Sequence, residues 1–317
     1  MILSFVLIIL GFVLLIKGAD WLVNGATALA RKYHVSDLAI GLTVVAFGTS
    51  APELVVNSVA SINNLPDIVL GNVIGSNNFN LFVILGVAGL ILPIKVQSNT
   101  AWRQIPVSLL VVLLCLALCN NFFLGGEAVF STIDALIFLA GFAAFLYYVY
   151  AQMKTETDRT TTPDQQSNLR TWAEIVFGLA GLIIGGKLVV DNSVTIATQL
   201  GVSEKIIGLT IVAFGTSLPE LVTSVVAATR KKADIIIGNV IGSNIFNMLL
   251  ILPLSALIRP IPFNTNFNTD LYLLAGGTLI LFAAMLTGRR RKLDRWEAGI
   301  LLAVYLAYTV FLVAKEL

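Results

Sequence analysis

Two glutamates, Glu53 and Glu220, each follow a proline directly in an otherwise apolar stretch. A carboxylate in such surroundings is costly unless it is paired, protonated or bound to a cation. From Gly41 the chain reads GLTVVAFGTSAPEL, and from Gly208 it reads GLTIVAFGTSLPEL. Thr49 and Ser50 precede Glu53 by four and three residues, as Thr216 and Ser217 precede Glu220, so each set can share one helix face. Farther on, GNVIGSNNFN from Gly71 supplies Ser76, Asn77 and Asn80, and GNVIGSNIFN from Gly238 supplies Ser243, Asn244 and Asn247. Pro52 and Pro219 lack an N–H and clash with the carbonyl about four residues back. They therefore free carbonyls over Ala46–Thr49 and Ala213–Thr216, and such a broken helix is tolerated at membrane depth where it lines a cavity.

Every group so presented is a hard oxygen, which disfavours zinc or copper. Ca²⁺ takes about 6–8 such oxygens. Two glutamates supply a formal charge of about −2, which one Ca²⁺ or several Na⁺ would neutralise, and leaving them empty and charged is costly. The two ions would then exclude each other from one site. For Asn80 and Asn247, and still more for Asn77 and Asn244, an interhelical hydrogen bond is the competing reading. Cys115 and Cys119 read as small residues buried one helical turn apart, and His34 as a solvated loop residue.

The elements that must position these groups are membrane spans. Of 317 residues, 57% are hydrophobic and 12% charged, with a mean hydropathy of +0.90. A soluble domain would carry about a quarter charged residues. Windows of about 20 apolar residues fall at 2–23, 37–61, 67–93, 104–120, 128–150, 172–194, 203–229, 234–258, 270–287 and 296–314. The start of the chain lacks a basic n-region and reads as a first span. Asp67 and Asp234 open their spans and are expected to cap them. The polar stretch 151–171 reads as a linker between units 1–150 and 172–317.

The two halves repeat at a constant offset of 167 residues, with 30 identities in the 51 positions of 41–91 and 208–258. Five spans per half is an odd number, so the copies lie in opposite orientation. The expected fold is therefore an all-α polytopic membrane protein of ten transmembrane helices, arranged as two inverted-topology five-helix repeats with a midplane site between them. With both termini outside, inner loops hold fifteen Lys and Arg and outer segments three, which favours that orientation. The runs 230–232 and 289–292 are then topology signals, and no nucleic-acid partner is expected.

The two blocks closely resemble the paired α-repeats of the cation/Ca²⁺ exchanger superfamily, above all its prokaryotic Na⁺/Ca²⁺ exchanger branch. The resemblance implies a non-enzymatic antiporter of a prokaryotic plasma membrane, in which spans 1 and 6 slide across the other eight. Its partners are the lipid bilayer and the transported Ca²⁺ and Na⁺, with no organic cofactor; a monomer suffices for transport, and the oligomeric state is open. Carried over, Glu53 and Glu220 with the carbonyls of Thr49 and Thr216 resemble the Ca²⁺ ligands. Ala46, Thr49, Ser50, Glu53, Ser76, Ala213, Thr216, Ser217, Glu220 and Ser243 resemble the Na⁺ ligands, with Asn80 and Asn247 at the centre. Some relatives, K⁺-dependent exchangers among them, carry aspartate at the position of Asn247, so the amide disfavours K⁺ co-transport. Neither block contains a histidine, which favours Na⁺ over H⁺. An H⁺/Ca²⁺ antiporter and a K⁺-dependent Na⁺/Ca²⁺ exchanger are the alternatives within transport. An intramembrane hydrolase with a carboxylate dyad and a passive cation channel are the alternatives outside antiport.

Overall fold

A computed structural model describes residues 2–96, 100–122, 127–155, 167–200, 213–287 and 292–316. The chain order is α1 (Ile2–Lys32), α2 (Asp37–Thr49), α3 (Ala51–Ile62), α4 (Pro66–Ile91), β1 (Ile94–Lys95), α5 (Ile105–Cys119), β2 (Val129–Phe130) and α6 (Thr132–Thr155). The second half brings α7 (Asn168–Gln199), α8 (Ala213–Gly215), α9 (Leu218–Thr229), α10 (Ala233–Ile258), β3 (Ile261–Pro262), α11 (Asn268–Thr287), β4 (Lys292–Leu293) and α12 (Arg295–Glu316). Among the described residues, eight helices are long and apolar enough to cross a membrane, and α2 with α3 forms one further bent pair. The expected span 203–229 falls partly on 201–212, outside the described residues, as do 156–166 of the expected linker and 289–291 of the basic run.

Burial sorts the helices into layers. The spanning window of α10 is 94% buried and that of α4 72%, against 28% for α1 and 11% for α12. α4 and α10 carry the second polar blocks and form the centre. The outer helices turn large apolar side chains outward, such as Phe5, Ile9, Leu306, Val310 and Phe311. Apolar exposure on that scale suits lipid rather than water.

α1 and α7 stand apart from this centre. With Ile40 and Val45 they build a separate apolar cluster around Leu15, Ala19, Leu22, Ala26, Ile175 and Leu182. Their backbones touch: a Cβ placed on Gly18 would sit 2.7 Å from the Gly178 carbonyl oxygen, and one on Gly185 2.7 Å from that of Gly11. Gly25 meets Ile175, farther toward the start of α7, so the two helices run antiparallel. Gly185 is the 167-residue counterpart of Gly18, and Gly178 that of Gly11, so each contact exchanges partners with the other. Both helices outlast their expected spans, at 31 and 32 residues. At 1.5 Å per residue that is about 47 Å, well beyond a hydrocarbon core of about 30 Å. The additional turns continue the small-residue seam through Gly25 and Ala26, where the sequence suggests a loop.

The same exchange appears in two small antiparallel ladders. β1 pairs with β4 through Ile94 and Leu293, and β2 with β3 through Phe130 and Ile261. Each ladder ties an end of one half to the other half. Asp67 and Asp234 do not cap their helices: α4 begins at Pro66 after Leu65, α10 at Ala233 after Lys232, and neither start has a side-chain cap. Both acids instead lie in the first turn, where the helix dipole favours negative charge.

Charged ties join α1 and α2 to the far end of α9. The Arg230 guanidinium donates to Asp20 Oδ1 and Asn24 Oδ1 on α1. Lys232 Nζ donates to Asp37 Oδ2 at 3.0 Å.

Candidate functional site: two broken helices and a shared oxygen cluster

α2 and α3 meet at Ser50 with a bend of 46°. Ser50 has φ −83° and ψ 8°, and Ser217, between α8 and α9, has φ −88° and ψ 6°. The two breaks thus share one backbone conformation. Pro52 and Pro219 fall in the first turn of the following helix, where a missing N–H is harmless. For the preceding limb that same absence leaves the Gly48 and Gly215 carbonyls without their helical donor. Glu53 and Glu220 lie in the first turns of α3 and α9, again the positive end of a helix.

The spacing Ser-x-x-Glu is a capping-box pattern, yet neither serine caps its own helix. Ser50 Oγ donates across the molecule to Glu220 Oε1 at 3.1 Å, and Ser217 Oγ lies 3.2 Å from Glu53 Oε1 and 3.1 Å from Ser76 Oγ. Glu53 and Glu220 are each 1% exposed. Among the described residues no Lys, Arg or His forms an ion pair with either.

The second blocks interlock with the same reciprocity. Asn77 Nδ2 donates to the Asn244 carbonyl at 3.2 Å, and Asn244 Nδ2 to the Asn77 carbonyl at 3.3 Å. Their Oδ1 atoms accept from Asn247 Nδ2 and Asn80 Nδ2, both at 3.0 Å. These bonds fix the amide direction of Asn80 and Asn247 and leave each Oδ1 without a donor. Asn247 opens a widened π-type turn, Asn247–Ile251, and Asn80 lies within another, Phe79–Ile84. Such turns re-aim side chains and recur at functional sites.

Among the carboxylates and amides of this cluster, four buried acceptor oxygens therefore remain unsatisfied in two counterpart pairs: Glu53 Oε2 with Glu220 Oε2, and Asn80 Oδ1 with Asn247 Oδ1. Ser243 Oγ is also without a partner. A buried polar atom left unpaired costs about 1–3 kcal/mol, and oxygens of these kinds are those that hard cations take as ligands. Among the described residues no three of His, Cys, Asp and Glu come together as metal ligands. Any cation here would draw its remaining ligands from amides, hydroxyls and carbonyls, as Ca²⁺ and Na⁺ do.

The other expected residues fall as follows. Ala46 and Thr49 are fully buried in the last turn of α2. Thr216 is partly buried at the second break, and Ala213 opens α8. Asn77 and Asn244 are the mutual interhelical pair that the competing reading allowed. The sequence reading passed over Asn72 and Asn239. Thr216 Oγ1 donates to Asn72 Oδ1 at 3.2 Å, and Thr49 Oγ1 lies 3.1 Å from Asn239 Oδ1. The available signal was their identity in the two copies, each one residue past the first glycine of its block.

Beside the cluster lies a cavity of about 340 Å³ between α3, α7 and the second break, bordered by Pro52, Val56, Ile183, Thr216 and Pro219. Lys187 and Asp191 stand at its border and pair with each other along α7 at 3.0 Å.

A family model described as sodium/calcium exchanger protein matches residues 3–151 and 171–314. The chain belongs to the sodium/calcium exchanger family. It is 35% identical to the sodium/calcium exchanger MaX1 of Methanosarcina acetivorans over an alignment of 324 positions, which covers 90% of this chain and 91% of that protein. It is likewise 35% identical to the inner membrane protein YrbG of Escherichia coli K12, over 73% of each chain. The solved structure of the sodium-calcium exchanger NCX_Mj, soaked with zero Na⁺ and Ca²⁺, superposes with a TM-score of 0.84 at 35% identity, covering 98% of this chain and 99% of that one. The exchanger is accordingly an integral membrane protein of a cation/Ca²⁺ exchange family, and its relatives are transporters rather than enzymes.

Proposed function

We propose that this exchanger is a secondary antiporter that trades Na⁺ for Ca²⁺ at one shared site. The observation that carries the reading is the set of four donorless oxygens on Glu53, Glu220, Asn80 and Asn247. Glu53, Glu220 and the carbonyls of Thr49 and Thr216 hold Ca²⁺. Several Na⁺ replace it on the same carboxylates, together with oxygens of Ala46, Thr49, Ser50, Ser76, Ala213, Thr216, Ser217 and Ser243. Asn80 and Asn247 lie between the two glutamates. One binding mode excludes the other because both neutralise the same two charges, and the empty charged site is too costly to cross.

The architecture we propose has ten spans in two inverted five-helix repeats, 1–150 and 172–317, joined by a linker. The exchanged contacts of α1 with α7 and of the two ladders support it. α1 and α7 slide together over the remaining helices to give alternating access, a role that their separate apolar cluster suits. In the proposed orientation both termini lie outside a prokaryotic plasma membrane and the cavity beside Pro52 opens outward. The names of MaX1 and NCX_Mj as sodium/calcium exchangers agree with Na⁺ as the coupling ion.

The test is ⁴⁵Ca²⁺ flux into proteoliposomes with Na⁺, K⁺ and H⁺ gradients imposed one at a time. A Na⁺ gradient alone is expected to drive uptake. Uptake driven only by a pH gradient, or flux indifferent to counter-ions, would overturn the reading.

A further inference from the structure

The proposed ligands do not hold their own orientations, and the side chains that could do so lie just behind them. Asn239 is fully buried and engages groups of both breaks. Its Nδ2 donates to the Glu220 carbonyl at 3.2 Å and to Ser224 Oγ at 3.0 Å. With both amide protons committed, its Oδ1 is left as an acceptor, 3.1 Å from Thr49 Oγ1. One side chain thereby connects the threonine of the first break to the glutamate of the second. Asn72 repeats the arrangement in the other half. Its Oδ1 accepts from Thr216 Oγ1 at 3.2 Å, and its Nδ2 donates to Asn57 Oδ1 at 3.2 Å, Asn57 being the counterpart of Ser224.

The acceptor matters because a threonine hydroxyl has one proton. Within a helix that proton ordinarily returns to a carbonyl one turn back. Thr49 Oγ1 has two such carbonyls in reach, Val45 at 3.1 Å and Ala46 at 3.4 Å. The Ala46 carbonyl already accepts from the Ser50 amide at 3.0 Å. An acceptor outside the helix draws the proton away from these carbonyls and from the ion. It leaves the hydroxyl's lone pairs and the second lone pair of Ala46 for a cation.

We infer that Asn72 and Asn239 are positioning residues that fix the hydroxyl protons of Thr216 and Thr49, and so set the affinity of the site for Na⁺ in particular. The inference rests on the Na⁺/Ca²⁺ reading above. Na⁺ is the ion affected most because hydroxyls enter only its proposed ligand set, whereas Ca²⁺ is held mainly by carboxylates.

The test uses the purified full chain in detergent. ⁴⁵Ca²⁺ is bound first, and the Na⁺ concentration that displaces half of it is measured. Asn239→Leu is expected to raise that concentration about five- to ten-fold, the effect of one buried hydrogen bond. Half-saturating Ca²⁺ measured without Na⁺ should change by a smaller factor, because its proposed ligands are carboxylates and backbone carbonyls and not the Thr49 hydroxyl. Thr49→Val, which removes the hydroxyl itself, should raise the displacing Na⁺ concentration at least as far, and adding Asn239→Leu should give no further rise, because the asparagine acts through that hydroxyl. Asn72→Leu, at the half-buried counterpart, gives the same reading if Asn239→Leu fails to fold. Folded Asn239→Leu and Asn72→Leu proteins that displace Ca²⁺ at the unaltered Na⁺ concentration would overturn the inference. So would equal losses of Na⁺ and Ca²⁺ affinity accompanied by a lower melting temperature. A native protein from which Na⁺ displaces no Ca²⁺ would instead overturn the exchange reading itself.

Discussion

At the scale of residues, the site is a pair of crossed serine–glutamate contacts around oxygens that have no donor. In the proposed site each glutamate supplies half the charge that balances a divalent ion. Glu53→Gln and Glu220→Gln should therefore each abolish Na⁺-dependent ⁴⁵Ca²⁺ uptake while leaving the protein in the membrane, and normal uptake by either variant would break the shared-site account. Asn247→Asp adds a titratable group beside two others. It should change K⁺ or pH dependence of flux more than melting temperature; identical profiles would argue against a central Asn247. These residues were legible because polar groups in an apolar run stand out by their cost. Asn72 and Asn239 were not legible in the same way. Their importance lies in what they touch across the repeats, and no local spacing encodes a contact between residues 49 and 239.

At the scale of elements, the break in each helix is written in the sequence as Gly-Thr-Ser-x-Pro-Glu, and the structure places the turn at the serine. The π-type turns at Phe79–Ile84 and Asn247–Ile251 contain no proline or glycine of their own, and the sequence reading did not find them. The length of α1 and α7 was also hidden. Hydropathy reports where lipid begins, whereas the glycine seam that extends both helices is a packing feature. That seam makes a direct prediction. A side chain at Gly18 meets backbone at 2.7 Å and 2.8 Å, with no flexible group to yield. Gly18→Leu should separate the helices and cost about 1–3 kcal/mol or more. A lower melting temperature together with lost exchange is expected, and Gly75→Ala, which meets nothing within 4 Å among the described residues, is the control. Equal melting temperatures for the two variants would contradict the close approach.

At the scale of the whole molecule, the halves are alike in the centre and different at the edge. The 167-residue counterparts of Asp20, Asn24 and Arg230 are Lys187, Asp191 and Asn63. Among the described residues, the tie that Arg230 makes to Asp20 and Asn24 therefore has no equivalent at the counterpart positions. Lys187 and Asp191 pair within α7 instead, at the border of the open cavity. Half-exposed ion pairs of this kind contribute about 0.5–1 kcal/mol. Asp20→Asn should thus shift the balance between the two faces by about two- to five-fold, and slow maleimide labelling of an Ile183→Cys variant at the cavity by up to that factor. Cys115 and Cys119 are fully buried and will not compete for the label. Unchanged labelling would show that the tie carries no bias. If it does, the exchanger has a resting posture. The apparent dissociation constant is the intrinsic value divided by the fraction of molecules poised to bind. A nearly symmetric site would then read as a tighter one from the cavity side than from the Arg230 side, and the two faces of the membrane would report different half-saturating ion concentrations for the same set of oxygens.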